Sequence, residues 1–428
     1  MPASGTFFAI QRLRFLLLAI ALPAPFAAAA PLVELLQLAE QHYSGYRLEE
    51  LRYQIEKEAE PIARAALFPQ ASASVGQQYS DQSDESSWSA GVSLEQELYN
   101  LPLWHLWQGS KEQVKRAEIN RQIARAQLRR DVILAWLEVQ LTAETLQLLE
   151  TRRNTLREQL KRTETLADSG QVIKADVLSA RAGLANARSQ WEQSRHDLAV
   201  AHDVIYRYTA ATAADLRLAP DAPLPPLRTL QEWQQTVEQN NLELKAARQQ
   251  TAYLRRRLQA AADAVYPRLS FSGRLSTEEG EGNIRDNWQL SLQQSLFTGG
   301  NLRAQQRQII AEADSGHAQV ASLLEQNTQT IKRLHGQMRA DLARITALEE
   351  AAEAAEALLQ VVIVGYENGV NVITDVLSAE EDAFDARLNL RQAAYSYLRN
   401  LTTLQALAAD NDDAFAAQVE QFFIPVNH

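Results

Sequence analysis

Cysteine is absent from this 428-residue chain. That excludes disulfides, thiolate metal sites, cysteine nucleophiles and a lipid-modified N-terminal cysteine, so packing alone must hold the fold together. Positive charge is also in deficit, with a formal net charge of −11. Such a chain does not read as a nucleic-acid binder. Catalytic patterns are missing as well: none of the seven histidines falls in an HExxH or other ligand spacing, and no GxSxG, P-loop or strand-following GxGxxG occurs. No enzyme, cofactor or metal centre is expected. Long apolar runs are confined to one place near the N-terminus, so the rest of the chain offers no transmembrane helix.

That one run, FLLLAIALPAPFAAAA, follows Arg12 and Arg14 and ends in small residues. It is too short and too proline-interrupted to span a bilayer, and it reads as a signal peptide over residues 1–29. Its removal takes away two arginines and no acid, which moves the net charge from −11 to −13. What remains is long enough for a large core, and 46% hydrophobic and 22% charged residues argue against disorder.

The exported part contains itself twice. GQVIKADVLSA (170–180) recurs as GVNVITDVLSA (369–379) at an offset of 199, and SLEQELYN (93–100) recurs as SLQQSLFT (291–298) at 198. A first structural repeat is therefore expected over 30–217, a proline-rich connector over 218–229, a second repeat over 230–409 and a tail over 410–428. Each repeat carries one heptad helix of some 65 residues. In the first, Leu128, Val132, Ala135, Val139, Thr142, Leu146, Leu149, Arg153, Leu156, Leu160 and Thr163 step by three and four; in the second, Ile331 to Val362 do the same. Shorter helices are expected at 32–66, 174–209, 230–264 and 372–408. The resulting fold class is mainly α with a small β part, built from helical hairpins whose glycine turns, at Gly170 and Gly369, lie at their far tips.

Between the helices the period changes to two. Strands are expected at about 71–79, 88–98, 269–277 and 288–297. Trp88, Val92, Leu94, Phe271, Trp288, Leu290 and Leu292 lie on apolar faces, and the alternate positions are mostly serine or glutamine. Such strands suit either a half-buried sheet in a soluble domain or a membrane barrel with lipid on one side and a lumen on the other. Four strands cannot close a barrel when the smallest have eight, and open edges are not tolerated in lipid. Closure would need two copies for eight strands or three for twelve.

The duplicated unit, the FPQ and YPR entries to the hairpins, the SLFTGG exit and GYENGVNVITDVLSAEED (365–382) together resemble the TolC family of outer-membrane channel proteins. The resemblance implies a homotrimer with a 12-stranded β-barrel in outer-membrane lipid, continued by a periplasmic α-helical tunnel. Its partners would be a periplasmic adaptor protein and an inner-membrane transporter, and its function passive export in a tripartite efflux or type I secretion system. It also implies a gate at the helical tips, with Tyr366 bonded to Asp176 and Asp375 ringing the constriction. Asn371 stands where the family carries a locking arginine, and Ser378 where it carries a second ring aspartate. Two other readings compete. The aspartates could simply cap their helices, and the whole chain could be a soluble periplasmic coiled-coil adaptor or scaffold.

Overall fold

The computed structural model describes residues 30–80, 85–214, 216–219, 224–278 and 284–425. The expected signal peptide and the middle of both hairpin turns lie outside the described residues. The chain opens with three short helices, α1 (Leu32–His42), α2 (Ser44–Lys57) and α3 (Ala59–Ala65). A hairpin of β1 (Gln70–Ser80) and β2 (Glu85–Tyr99) follows, then the long helix α4 (Leu101–Asp168) and the return helix α5 (Lys174–Thr209). A short strand, β3 (Leu216–Leu218), leads to the second copy: α6 (Leu230–Asn240), α7 (Leu242–Asp263), β4 (Arg268–Glu278), β5 (Arg285–Gln293), α8 (Asn301–Glu367) and α9 (Ile373–Leu407). The chain ends with α10 (Asp413–Glu420) and β6 (Phe423–Pro425).

The 68 residues of α4 and 67 of α8 make each helix about 100 Å long at 1.5 Å per residue. Asn100 starts α4, its side chain accepting a hydrogen bond from Leu103 N, with Pro102 in the first turn where a missing N–H does no harm. The helices expected as continuous at 32–66 and 230–264 are broken, at Tyr43 and Glu58 in the first copy and at Asn241 in the second. The break at Asn241 is built in: its side chain caps α7 by accepting from Leu244 N (2.8 Å) and donates to Leu407 O (2.9 Å). One amide thus starts a helix and ties it to the end of α9.

Both hairpins join into one antiparallel sheet in the order β1-β2-β4-β5. Pairing puts Val75 opposite Ala90, Val92 opposite Leu275 and Phe271 opposite Leu290, so all four strands turn one apolar face the same way. Ser72, Ser93, Ser272 and Gln289 fall on the other face, where Ser72 and Ser93 hydrogen-bond at 2.8 Å. The sequence pattern overran in two places. Leu98 is the extra residue of a bulge between Glu97 and Tyr99, which breaks the alternation expected of it. The last strand stops at Gln293 rather than 297, because its partner Arg268 follows Pro267, which has no N–H to continue the ladder.

The main core forms a belt around the middle of the long helices. Leu32, Leu35, Leu36 and Ala39 of α1, Val132, Ile133, Trp136 and Leu137 of α4, and Tyr395, Leu398 and Leu401 of α9 are buried in it. An 18-residue window of α4 reaches a mean hydropathy of 1.3, enough on composition to cross a membrane, but half of it is buried inside the protein. The tail, given no role from sequence, completes this belt. Its β6 pairs with β3, and Phe423 meets Trp136 edge-on at 4.7 Å and Tyr395 at 5.8 Å. Truncating Phe423 to alanine is expected to destabilise this belt by about 3–5 kcal/mol, read as a lowered midpoint in thermal melts in detergent; an unchanged midpoint would show the tail to be a passive appendage.

Candidate functional site

The two helical hairpins end in the same turn, made by the same chemistry. Gly170 and Gly369 have φ of +76° and +72°, the left-handed region that closes a helix C-terminus. Backbone bonds from Gln171 N to Leu166 O (2.9 Å) and from Val370 N to Gly365 O (2.8 Å) complete each turn. Three residues on, the return helix begins. Asp176 accepts from Ile173 N (3.4 Å) and Asp375 from Val372 N (3.1 Å), so each carboxylate covers a free N–H at the positive end of its helix. The repeated DVLSA motif is therefore a helix-start signal in both copies.

Tyr366, at the end of α8, is 7% exposed and packs with Ala180, Ile373 and Val376 in a small apolar cluster between the tips. Its hydroxyl lies 3.1 Å from Thr163 Oγ1 on α4, and Thr163 in turn donates to Gln159 O. The expected tie from Tyr366 to Asp176 is not the one the protomer makes. The tyrosine still joins the second hairpin to the first, but its partner is a threonine, while Asp176 accepts from Ile173 N at the start of α5. Thr163 was readable as a polar residue at a heptad seam position one turn above the tip. That oddity was the available signal.

Asn371 occupies a site made by a missing side chain. Its Oδ1 lies 1.9 Å from where a Cβ on Gly365 would sit, so only glycine at 365 lets this amide fold back over the α8 terminus. From there its Nδ2 reaches Asp375 Oδ2 at 3.3 Å. Ser378 and Asp375 are exposed on α9, and Asp176 is half-buried. An arginine does bridge the hairpins, but from the opposite side. Arg162 of α4 pairs with Glu367 of α8 at 2.7 Å. The pair is more than half exposed, so it contributes about 0–1 kcal/mol.

Above the tip, α4 and α9 are laced by charges. Arg152 meets Glu380 at 2.9 Å and lies over the Phe384 ring, Arg391 meets Glu144 at 2.9 Å, and Arg399 meets Glu138 at 2.8 Å. Tyr395 donates a further hydrogen bond to Glu144. Burial raises the carboxyls of both Glu144 and Glu380 above the ordinary glutamate value, and the facing arginines offset only part of that rise. Position alone did not mark these residues, because an Arg or Glu on a heptad helix is most often solvated.

At the other end of the molecule, Trp88, Val92, Trp288, Leu290 and Leu292 are exposed, and Leu94 and Phe271 are half-buried. The Trp288 ring lies against Gly273, where a Cβ would come within 2.3 Å of it, and stacks on Phe271 at 5.8 Å. Two aromatics thus share one face of the sheet across the β4–β5 pair. Among the described residues no group of three or more His, Cys, Asp or Glu residues is placed to hold a metal ion.

A family model described as outer membrane efflux protein matches residues 47–211 and 233–410. Outer membrane protein TolC of Vibrio cholerae is 22% identical over 365 residues, covering 81% of this chain and 83% of its own. The proteases secretion protein PrtF of Dickeya chrysanthemi is 22% identical over 424 residues, covering 93% and 92%. Among solved structures, the CusC transmembrane channel superposes with a TM-score of 0.78 at 17% identity, over 90% of this chain and 93% of that one.

A raised carboxyl pKa has a definite sign in stability. The contribution is fully present below the unfolded value near 4.5 and is lost as the pH rises through the folded value. Between pH 4.5 and 7 these two groups should therefore contribute a fall in melting temperature as the pH rises, and replacing both by glutamine, which cannot ionise, should flatten that slope whatever its effect on the absolute value. Melts of wild type and double variant across that range check it, and an identical slope in the two would contradict it.

Proposed function

The chain belongs to the outer membrane efflux protein family, and we propose that it is the outer-membrane channel of a tripartite efflux or type I secretion system. Three copies would close a 12-stranded barrel in outer-membrane lipid, and their long helices would continue it as a tunnel into the periplasm. The observation that carries this reading is the four-stranded sheet, with one apolar face and one serine- and glutamine-rich face, set on helices of about 100 Å. A soluble adaptor would have no use for exposed Trp288, Leu290 and Leu292 on one side of a sheet.

The chain itself supplies no energy; transport through it is passive and driven by a periplasmic adaptor and an inner-membrane transporter. The part that PrtF takes in the secretion of proteases and the channel character of CusC fit this class of machine. Control rests at the tips. Tyr366 to Thr163 and Arg162 to Glu367 hold the second hairpin against the first, so opening by an outward swing of either hairpin requires both ties to break. Asp375 is exposed beside the turn, and three copies about an axis would set a ring of carboxylates that favours cations.

Planar-bilayer recording of the detergent-extracted protein tests both halves of this reading. Wild type should show small, cation-preferring steps, and Tyr366→Phe combined with Arg162→Ala should enlarge them at least twofold. Steps that ignore the substitutions would remove the proposed ties while leaving the channel. A protein that leaves the membrane without detergent and never conducts would remove the channel itself.

A further inference from the structure

The chain carries 53 acidic residues against 42 lysines and arginines, yet one seam just below the sheet is basic and aromatic. It lies between the start of α4, LPLWHLWQGSK (101–111), and the end of α7, where LRRRLQ occupies 254–259. His105 Nε2 lies 2.8 Å from Asp263 Oδ2 and so holds the two helix ends at one level. At 1.5 Å per residue, Lys111 is then about 9 Å down α4 and Arg256 about 10 Å back along α7, so these cations also share a level. Trp104 is 49% exposed and meets Trp107 edge-on at 4.8 Å. Among the described residues none of Lys111, Arg255 and Arg256 pairs with a carboxylate. Arg257, by contrast, is held by Glu312 of α8 at 2.9 Å.

A wall built from two like copies has no need of such a patch in one place alone. The matching start of α8, NLRAQQRQIIA (301–311), has no aromatic residue, and the segment 198 residues before LRRRLQ reads EKEAEP (56–61). Nor does the seam lie at the edge of the protomer, since α4 is flanked by α2–α3 and α7, and α7 by α4 and α8, within one chain. His105 and Gly109 meet α7, and Gln113 meets Glu56 of α2 at 2.8 Å. At about 100° per residue these three point within roughly 80° of one another, and Trp104 and Lys111 fall on the opposite half of the helix. In a closed ring the neighbours of a helix lie toward the axis, so that opposite half faces outward. On α7, Tyr253 and Arg256 approach α4 at Gly109 and Leu254 approaches Gly316 of α8, which leaves Arg255 on the exposed side.

We propose that this seam binds the headgroups of anionic phospholipid in the leaflet that faces the periplasm, with Trp104 and Trp107 seated in the interface and Lys111, Arg255 and Arg256 drawing the phosphates. The inference rests on the channel reading above, which puts the sheet in lipid. Trp104 follows the start of α4 by three residues, about 5 Å, within a headgroup layer about 5–8 Å deep on each side of the bilayer. An indole, apolar in body and polar at one edge, suits that depth. Beyond it the cations turn back toward the sheet. Lys111 Nζ lies 3.8 Å from the centroid of the Trp107 ring, four residues nearer the sheet, and Arg256 Nη1 donates to Gln259 Oε1 at 3.0 Å, three residues nearer. Long cationic side chains reaching along a wall toward a layer of phosphates form a snorkelling arrangement, and the attraction acts over roughly a Debye length, about 8–10 Å.

Native mass spectrometry of the detergent-extracted protein, incubated with an equimolar mixture of phosphatidylglycerol and phosphatidylcholine, counts the lipids it retains. Wild type should keep phosphatidylglycerol several-fold over phosphatidylcholine. Lys111→Gln combined with Arg255→Gln and Arg256→Gln should bring that ratio toward one. Arg303→Gln with Arg307→Gln, which removes two exposed arginines at the start of α8, should leave it unchanged. Equal retention of the two lipids by wild type overturns the proposal without reference to any variant. An equal loss in both variants also overturns it, because the preference would then reflect overall charge. So does an unchanged ratio in the triple variant accompanied by altered cation preference of its bilayer steps, which would put the patch in the lumen. In each of these cases conducting steps in a planar bilayer leave the channel standing; a protein that never conducts overturns the channel reading and this one with it.

Discussion

A β-sheet edge cannot face hydrocarbon. Each unpaired N–H or C=O there costs several kcal/mol, because no water is present to replace the missing partner. The four-stranded sheet of this chain has two such edges and an apolar face carrying Trp88, Val92, Trp288, Leu290 and Leu292. In the proposed channel, both problems have one solution: copies joined edge to edge close the ring, and the apolar face meets lipid. Much else in the chain follows from that. There the helices would have to continue a closed ring of strands, which accounts for each strand hairpin being flanked by one long helix and a set of shorter ones, and for the whole unit occurring twice.

The belt in the middle has a different task. It anchors the ends of the return helices, the connector and the tail to α4, with Gln140 accepting from Leu216 N and donating to Ala214 O from a fully buried position. Tyr397 donates to Pro225 O and so fixes the proline-rich connector to α9, and burial pushes this phenol up to about 12. Below the belt, contacts between the hairpins become ionic, and at the tips they narrow to the small apolar cluster around Tyr366 and one surface ion pair. Glu144 and Glu380 are buried ion pairs, whereas Arg162 to Glu367 at the tip is exposed. In the proposed channel, that decline from a large dry core to a small cluster and one solvated pair would let the tips separate while the belt stays closed.

Much of this was legible in the sequence, because it is written in periodicity. Heptads gave the long helices, alternation gave the strands, and an identical pentapeptide at fixed distance from a glycine gave the two tips. The shortfalls share a cause. Resemblance makes Asp176 a gate partner, yet an aspartate three residues into a helix also has a local use, and the contact seen in the protomer is the local one. Thr163, Arg162 and Glu367 were missed as a group because their roles depend on which helices lie side by side, and periodicity within one helix does not specify its neighbour. The tail was missed for the same reason. FFIP has no period of its own, and its meaning lies in Trp136, nearly three hundred residues away.

In the proposed channel the two faces of the sheet see different solvents, lipid on one and a water-filled lumen on the other. Single cysteines placed successively at 289, 290, 291 and 292 in the cysteine-free chain, reconstituted in vesicles and treated with a water-soluble maleimide, test it most directly. Alternation is expected: Gln289→Cys and Ser291→Cys label readily, while Leu290→Cys and Leu292→Cys are shielded by lipid. Uniform labelling along all four positions would contradict it, because it would put water on both sides of the sheet.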